Sequence, residues 1–212
     1  MDVTQDHAGE PQGATQRYEV LQELGDCHAS IGNYAQAQEC YEKAASLDPD
    51  AAAPYVGLGV VALQKNLLED AEIAFRVACR LDANCAKAYA GLAMIAQQQT
   101  DYKKAFNLYL KCLELDADNL TALLGLFQSS CQMGTFEQII RYLEAYLEMH
   151  PADGSVMFSL ASLYMREGRF EESRGLLSDI LALEPSNKDA ADLLEEVEHG
   201  LARQGQPGVR TG

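Results

Sequence analysis

Leucine recurs at Leu24, Leu58, Leu92, Leu126 and Leu160, each 34 residues after the last, with no insertion or deletion between them. A fixed period of this length constrains the fold more than any local feature. Each repeat is then one supersecondary unit that buries its apolar faces only by stacking on its neighbours. Dividing the chain as 18–51, 52–85, 86–119, 120–153 and 154–187 brings further columns into line. The fourth position reads Leu21, Tyr55, Tyr89, Leu123 and Met157, and the seventeenth Tyr34, Leu68, Tyr102, Phe136 and Phe170. The thirtieth reads Leu47, Leu81, Leu115, Met149 and Leu183. All are apolar or aromatic.

Within each unit two apolar stripes of helical period are separated by a breaker near Gly32, Asn66, Thr100, Gly134 or Gly168, and the unit closes in a short acidic or proline turn. This pattern predicts two antiparallel helices per unit. Ala37, Ala71 and Ala105 at the twentieth position are small enough to let the two helices approach closely. Tyr41, Phe75 and Tyr109 at the twenty-fourth are large enough to fill the gap to the next unit. The fold class expected is all-α, an array of helix pairs.

These columns resemble the tetratricopeptide repeat (TPR), W-x₂-L-G-x₂-Y followed by A-x₃-F and a late proline, at that family's own length. Gly25 and Gly59 stand where the family has glycine after the leucine, and Pro49, Pro151 and Pro185 at its closing proline. The resemblance implies a right-handed superhelical solenoid that binds other proteins. The fourth repeat departs from it: Phe127, Ile139 and Tyr146 occupy positions that hold Gly or Ala in the first two repeats. Its helices are therefore expected not to pack at the usual distance, which gives either a repacking that changes the local superhelix angle or a specialised contact surface. The fifth departs with Ser173, Leu177 and Ile180.

Beyond the fifth repeat, 188–203 keeps Ala191 and Leu194 in register with a first helix but presents Glu195, Glu196 and Glu198 where a partner surface would be, as a capping helix does. Residues 1–17 are expected to be mostly disordered, with helix beginning near Thr15 or Gln16, and 204–212 to form a disordered tail.

The chain carries 32 acidic residues against 16 Lys and Arg, a net charge of −16 that repels nucleic acid and anionic membranes. No apolar run approaches bilayer length, and the first residues lack the basic and apolar regions of a signal peptide. Cys27, Cys40, Cys79, Cys85, Cys112 and Cys131 form no CxxC pair and lie within apolar-periodic stretches, as reduced thiols of a cytoplasmic protein would. No enzymatic activity, cofactor or metal site is expected. His7, His28, His150 and His199 do not converge, and no Cys or His pair has zinc spacing. Cys27 and His28, adjacent on a helix, point about 100° apart and cannot act as a nucleophile pair. His28 reads as a packing residue with a polar tip.

In the family, the concave groove is lined by the first helix of each repeat. Carried over, this gives Glu19, Gln22, Glu23 and Asp26, then Val56, Gly57, Val60 and Leu63, then Lys87, Ala90, Met94 and Gln97. Leu124, Gln128 and Cys131 follow from the fourth repeat, and Phe158, Ser159, Ser162, Met165 and Arg166 from the fifth. Such a groove is acidic at its N-terminal end and apolar through the middle. It is expected to hold an amphipathic helix or extended peptide with a basic flank, or else to be filled by the N-terminal segment or a second copy. The functions that follow are a scaffold or adaptor, a chaperone shielding an apolar segment of a secreted or assembling substrate, or a regulatory domain of a larger enzyme. Family members that grip a terminal carboxylate use Lys, Arg and Asn at these positions, where this chain has only Lys87 and Arg166 as bases.

Overall fold

At the fifteenth position of every repeat the backbone turns left-handed: φ is 79° at Gly32, 58° at Asn66, 61° at Thr100, 70° at Gly134 and 74° at Gly168. Glycine and asparagine take this region readily, whereas the β-branched Thr100 takes it only when the turn demands it. The demand is visible in the hydrogen bonds, because the amide that follows each of these residues donates to a carbonyl five residues back. The pairs are Asn33 to His28 (2.8 Å), Leu67 to Ala62 (2.9 Å), Asp101 to Ala96 (2.9 Å), Thr135 to Ser130 (3.2 Å) and Arg169 to Tyr164 (2.8 Å). Each one closes the end of a helix and reverses the chain.

The computed structural model describes residues 11–204. Among them are eleven α-helices and no strand. The first two repeats form α1 (Pro11–Ser30) with α2 (Tyr34–Leu47) and α3 (Ala52–Gln64) with α4 (Leu68–Leu81). The third forms α5 (Ala86–Gln98) and α6 (Tyr102–Leu115), and the fourth α7 (Leu120–Met133) and α8 (Glu137–Met149). The fifth forms α9 (Gly154–Arg166) and α10 (Phe170–Leu183), and α11 spans Lys188–Gln204. Helix α1 begins at Pro11, earlier than the start near Thr15 expected from the apolar pattern. Proline suits a first helical position, and the polar turns before Tyr18 extend the helix without any apolar period to announce it. Of the segments expected to be disordered, 1–17 and 204–212, residues 11–17 and Gln204 are helical, and the remainder lies outside the described residues.

The helices gather into two compact units, Met1–Asp116 and Ala117–Gly212, where the sequence pattern reads as one unbroken array. In the first, α1–α2, α3–α4 and α5–α6 are closely packed pairs, and α1–α3 and α3–α5 also touch, so the first helices of the repeats form one layer and the second helices the other. The join between pairs is an aromatic ring on bare backbone. A Cβ on Gly25 or Gly57 would overlap the buried Tyr41 ring, and one on Gly59 or Gly91 the buried Phe75 ring.

In the second unit the fourth repeat keeps a buried glycine, Gly125, but fills the other small positions. Ile139 and Tyr146 are buried, Phe127 is half-buried, and α7 and α8 make few close backbone approaches. The volume that keeps them apart is the volume the sequence carries at those positions. Packing tightens again at α9–α10 and α10–α11. There Ser173 takes the alanine position, and its buried hydroxyl donates to the Ala161 carbonyl at 2.8 Å. Helix α11 closes this unit by burying Ala190 and Val197 against the Leu177 and Ile180 cluster, leaving Glu195, Glu196 and Glu198 in solvent. Leu24, though it sets the repeat, stays exposed on α1, and Leu47, Leu81, Met149 and Leu183 of the thirtieth column are exposed as well.

Candidate functional site

The layer formed by α1, α3 and α5 carries the acidic and apolar residues that the repeat columns single out in the first unit. Glu19, Glu23 and Asp26 are exposed on α1. Asp26 is also structural: its Oδ1 accepts from the Tyr41 hydroxyl at 2.7 Å and from Gln22 Nε2 at 3.4 Å. Burial, and then the hydrogen bond to Asp26, push the Tyr41 hydroxyl far above its ordinary pKa, so it stays a donor. On the neighbouring helices Val60 is 40% exposed and Met94 36% exposed, two apolar side chains at the same repeat position.

Other expected groove residues are used by the fold. Val56 and Leu63 are half-buried against the cluster around Phe75. Ala90 is only 7% exposed and belongs to the core, because at this position a small residue lets helices approach. Gly57 is buried beneath Tyr41. Lys87 is exposed, and Gln97 is half-buried with its Oε1 accepting from the Tyr109 hydroxyl at 2.7 Å. Burial pushes that hydroxyl up to about 12.

In the second unit, Leu124 and Phe158 line a cavity of about 380 Å³ with Ser155, Ser159, Glu184, Asn187 and Asp189. Phe158 and Met165 also lean on the Leu177 cluster. Ser162 turns its hydroxyl to the Phe158 carbonyl at 2.8 Å, a bond that satisfies it within its own helix. Arg166 is exposed, with its guanidinium 5.7 Å from the Phe136 ring centroid, and Gln128 is exposed on α7. The columns read as one groove are thus distributed over two units, each with its own surface.

Among the described residues no group of three His, Cys, Asp or Glu side chains is placed to hold a metal ion, and no helix is long and apolar enough to cross a membrane. All six cysteines are free thiols. Burial, the largest influence, pushes the Cys79 and Cys112 thiols up to about 11, which keeps them protonated and unreactive near neutrality. His28 is half-buried with Nδ1 unpartnered, and His150 pairs with Asp118.

Family profiles described as tetratricopeptide repeat match residues 23–86, 86–119 and 131–197. The chain belongs to the tetratricopeptide-repeat family. TPR domains generally mediate protein–protein interaction, and TPR proteins are typically non-catalytic scaffolds. Its fold is similar to that of PilF of Pseudomonas aeruginosa, with a TM-score of 0.73 and 20% identity over 93% of this chain and 96% of that one. YrrB, described as a TPR protein with an unusual peptide-binding site, is similar with a TM-score of 0.64 and 19% identity over 82% of this chain and 90% of that one. The first TPR domain of Spaghetti (RPAP3), solved with an HSP90 peptide, covers 57% of this chain and 95% of its own, with 24% identity and a TM-score of 0.52. No protein of curated function matches the chain by sequence.

The TPR columns do not point to a second cavity, on the other layer of the first unit. It encloses about 400 Å³ between α2 and α4, with Tyr55, Leu58, Val61 and Ala62 of α3 beneath, Ile73, Ala74 and Val77 along α4, and Gln38, Glu42, Lys65 and Asp70 at the rim. Its signal was available in the sequence. The sixteenth and twenty-second positions are polar in the flanking repeats (Asn33, Asp101; Glu39, Asn107) and apolar only here, as Leu67 and Ile73.

Proposed function

We propose that this TPR protein is a non-enzymatic scaffold or adaptor whose α1–α3–α5 layer holds an amphipathic helix or extended peptide with a basic flank. One observation supports the reading above all. Val60 and Met94 are each more than a third exposed on neighbouring helices of the layer that includes the acidic α1, and burying that remaining apolar surface against a partner is favourable. Methionine is suited to repack around a variable apolar surface. The six free thiols fit a cytoplasmic setting.

Affinity capture followed by mapping of the bound segment supplies the ligand for the test. Val60→Glu or Met94→Glu would place an unpaired charge in the desolvated contact and is expected to weaken binding by about 2 kcal/mol or more. Glu23→Gln removes one exposed acid and is expected to cost about 1 kcal/mol or less, with the loss screened by salt. Asp26 is left intact because Tyr41 depends on it. Parent-like binding by both charge insertions would remove this layer as the site. The chaperone reading differs in what happens to the partner: it requires that the protein keep an aggregation-prone apolar segment soluble in a light-scattering assay, and that Val60→Glu abolish the protection.

A further inference from the structure

The cavity lies between α2 and α4, and the equivalent helix pair one repeat later, α4 and α6, is tied across its outer edge in a way that this pair is not. In the later one Lys104 Nζ lies 3.5 Å from Glu72 Oε1, and Arg76 donates to the same oxygen at 2.7 Å, so an ionic strap passes from α6 to α4. In the earlier one the positions of Glu72 and Lys104 are taken by Gln38 and Asp70. A neutral amide and an acid make no strap. Gln38 Nε2 instead donates to Glu42 at 2.8 Å and its Oε1 accepts from Lys65 Nζ at 3.2 Å, so the one base at the rim is held on a neutral amide, and neither Glu42 nor Asp70 has a salt-bridge partner among the described residues.

The same opening holds two apolar residues that the fold does not call for. Leu67 is the N-cap of α4, 44% exposed and with no side-chain cap hydrogen bond, where Asp101 in the next repeat accepts from the Lys104 amide at 3.1 Å. A polar cap there would satisfy an amide of the first turn, which leucine does not. Ile73 is 62% exposed at a position that is Glu39 and Asn107 in the neighbours. Both border the cavity whose floor is Tyr55, Leu58 and Ala62.

We propose that this outer opening is a second docking surface, and that its occupant is a cationic amphipathic helix of a partner protein. Aliphatic side chains one helical turn apart enter over Tyr55, Leu58 and Ile73, and lysines or arginines on its flanks meet Glu42 and Asp70. Charge argues for a foreign partner over a second copy, since this chain presents 32 acids against 16 Lys and Arg to any opening with an acidic rim. The proposal does not rest on the α1–α3–α5 reading, which uses Val60 and Met94 and not Leu67 or Ile73.

The test uses the full chain and a synthetic helical peptide carrying leucines at i and i+4 flanked by lysines, titrated by fluorescence anisotropy. Three variants are compared: Ile73→Glu, the double change Gln38→Glu with Asp70→Lys that installs the strap of the next repeat, and Val60→Glu. Ile73→Glu and the strap are each expected to weaken binding at this opening about tenfold or more. Amide exchange should place the peptide's protection on α2 and α4. If the peptide also occupies the other layer, the titration has two steps, of which Ile73→Glu removes one and Val60→Glu the other. Circular dichroism should show parent helicity for Ile73→Glu, because the side chain it replaces is exposed. No binding, binding that Ile73→Glu leaves within about twofold of the parent, or binding lost only with Val60→Glu overturns the proposal. Self-association of the parent in sedimentation that Ile73→Glu abolishes would assign the opening to a second copy and overturn it as well.

Discussion

In the first unit the seam between helix pairs is an aromatic ring set onto backbone without side chains, Tyr41 over Gly25 and Gly57 and Phe75 over Gly59 and Gly91. In the second unit that position is aliphatic, Leu143 and Leu177, bulky Phe127, Ile139 and Tyr146 or a bonded serine stand where the first two repeats have Gly or Ala, and a ring meets glycine at the cap, Phe170 against Gly200. Polar contacts tie the helices there. The Tyr164 hydroxyl donates to Glu144 at 2.6 Å beneath Arg169, whose guanidinium lies 4.0 Å from the ring centroid. A ring on glycine depends on two vacancies at once and has no slack. A seam of branched side chains and hydrogen bonds can share a change among several rotamers.

The strongest way to break this contrast is to remove the ring. Phe75→Ala is expected to destabilise the first unit by about 3–5 kcal/mol, read as an earlier urea transition and as lost amide protection in α3, α4 and α5. A cost below about 2 kcal/mol would mean that the glycines collapse onto the space and that the seam is no tighter than an ordinary core. Gly91→Ala sharpens the point by adding a methyl instead of removing one. Helix propensity favours the change by about 1 kcal/mol, and overlap with Phe75 opposes it more strongly, for an expected net loss of about 1–2 kcal/mol. A gain in stability would show the ring free to move aside. The smallest effect belongs to the second unit. Ser173→Ala restores the residue of the first three repeats and loses one hydrogen bond, so the expected cost is about 1 kcal/mol or less, measured by thermal unfolding and by exchange in α9 and α10.

The helix pairs and their turns were legible because their causes are periodic: one left-handed residue and a ring or leucine recur at a fixed interval. What was not periodic was not legible. The start of α1 at Pro11 rests on a helix-compatible but featureless stretch, and no column marks it. Ala90 stands in a column that faces a ligand in the family, yet its small volume here serves packing, and only the neighbours' positions reveal that. The division at Asp116 was hidden by a leucine spacing that runs through it without interruption. The outer opening is hidden in the sequence for the opposite reason. Leu67 and Ile73 look like two more apolar residues in an apolar chain until they are read down their columns.

Every helix named as a close partner of another lies within two positions of it in chain order. Even the widest side-chain reach described, Gln204 to the Gly168 carbonyl, spans 36 residues, little more than one repeat. Short sequence separation makes for fast folding, since little loop entropy is lost before contacts form. A ribosome adding about 5–20 residues per second needs seconds to deliver one repeat, whereas helices form in about a microsecond or less. The first pair can therefore close while the third is still being synthesised, and the apolar face that waits for a neighbour is that of the newest repeat.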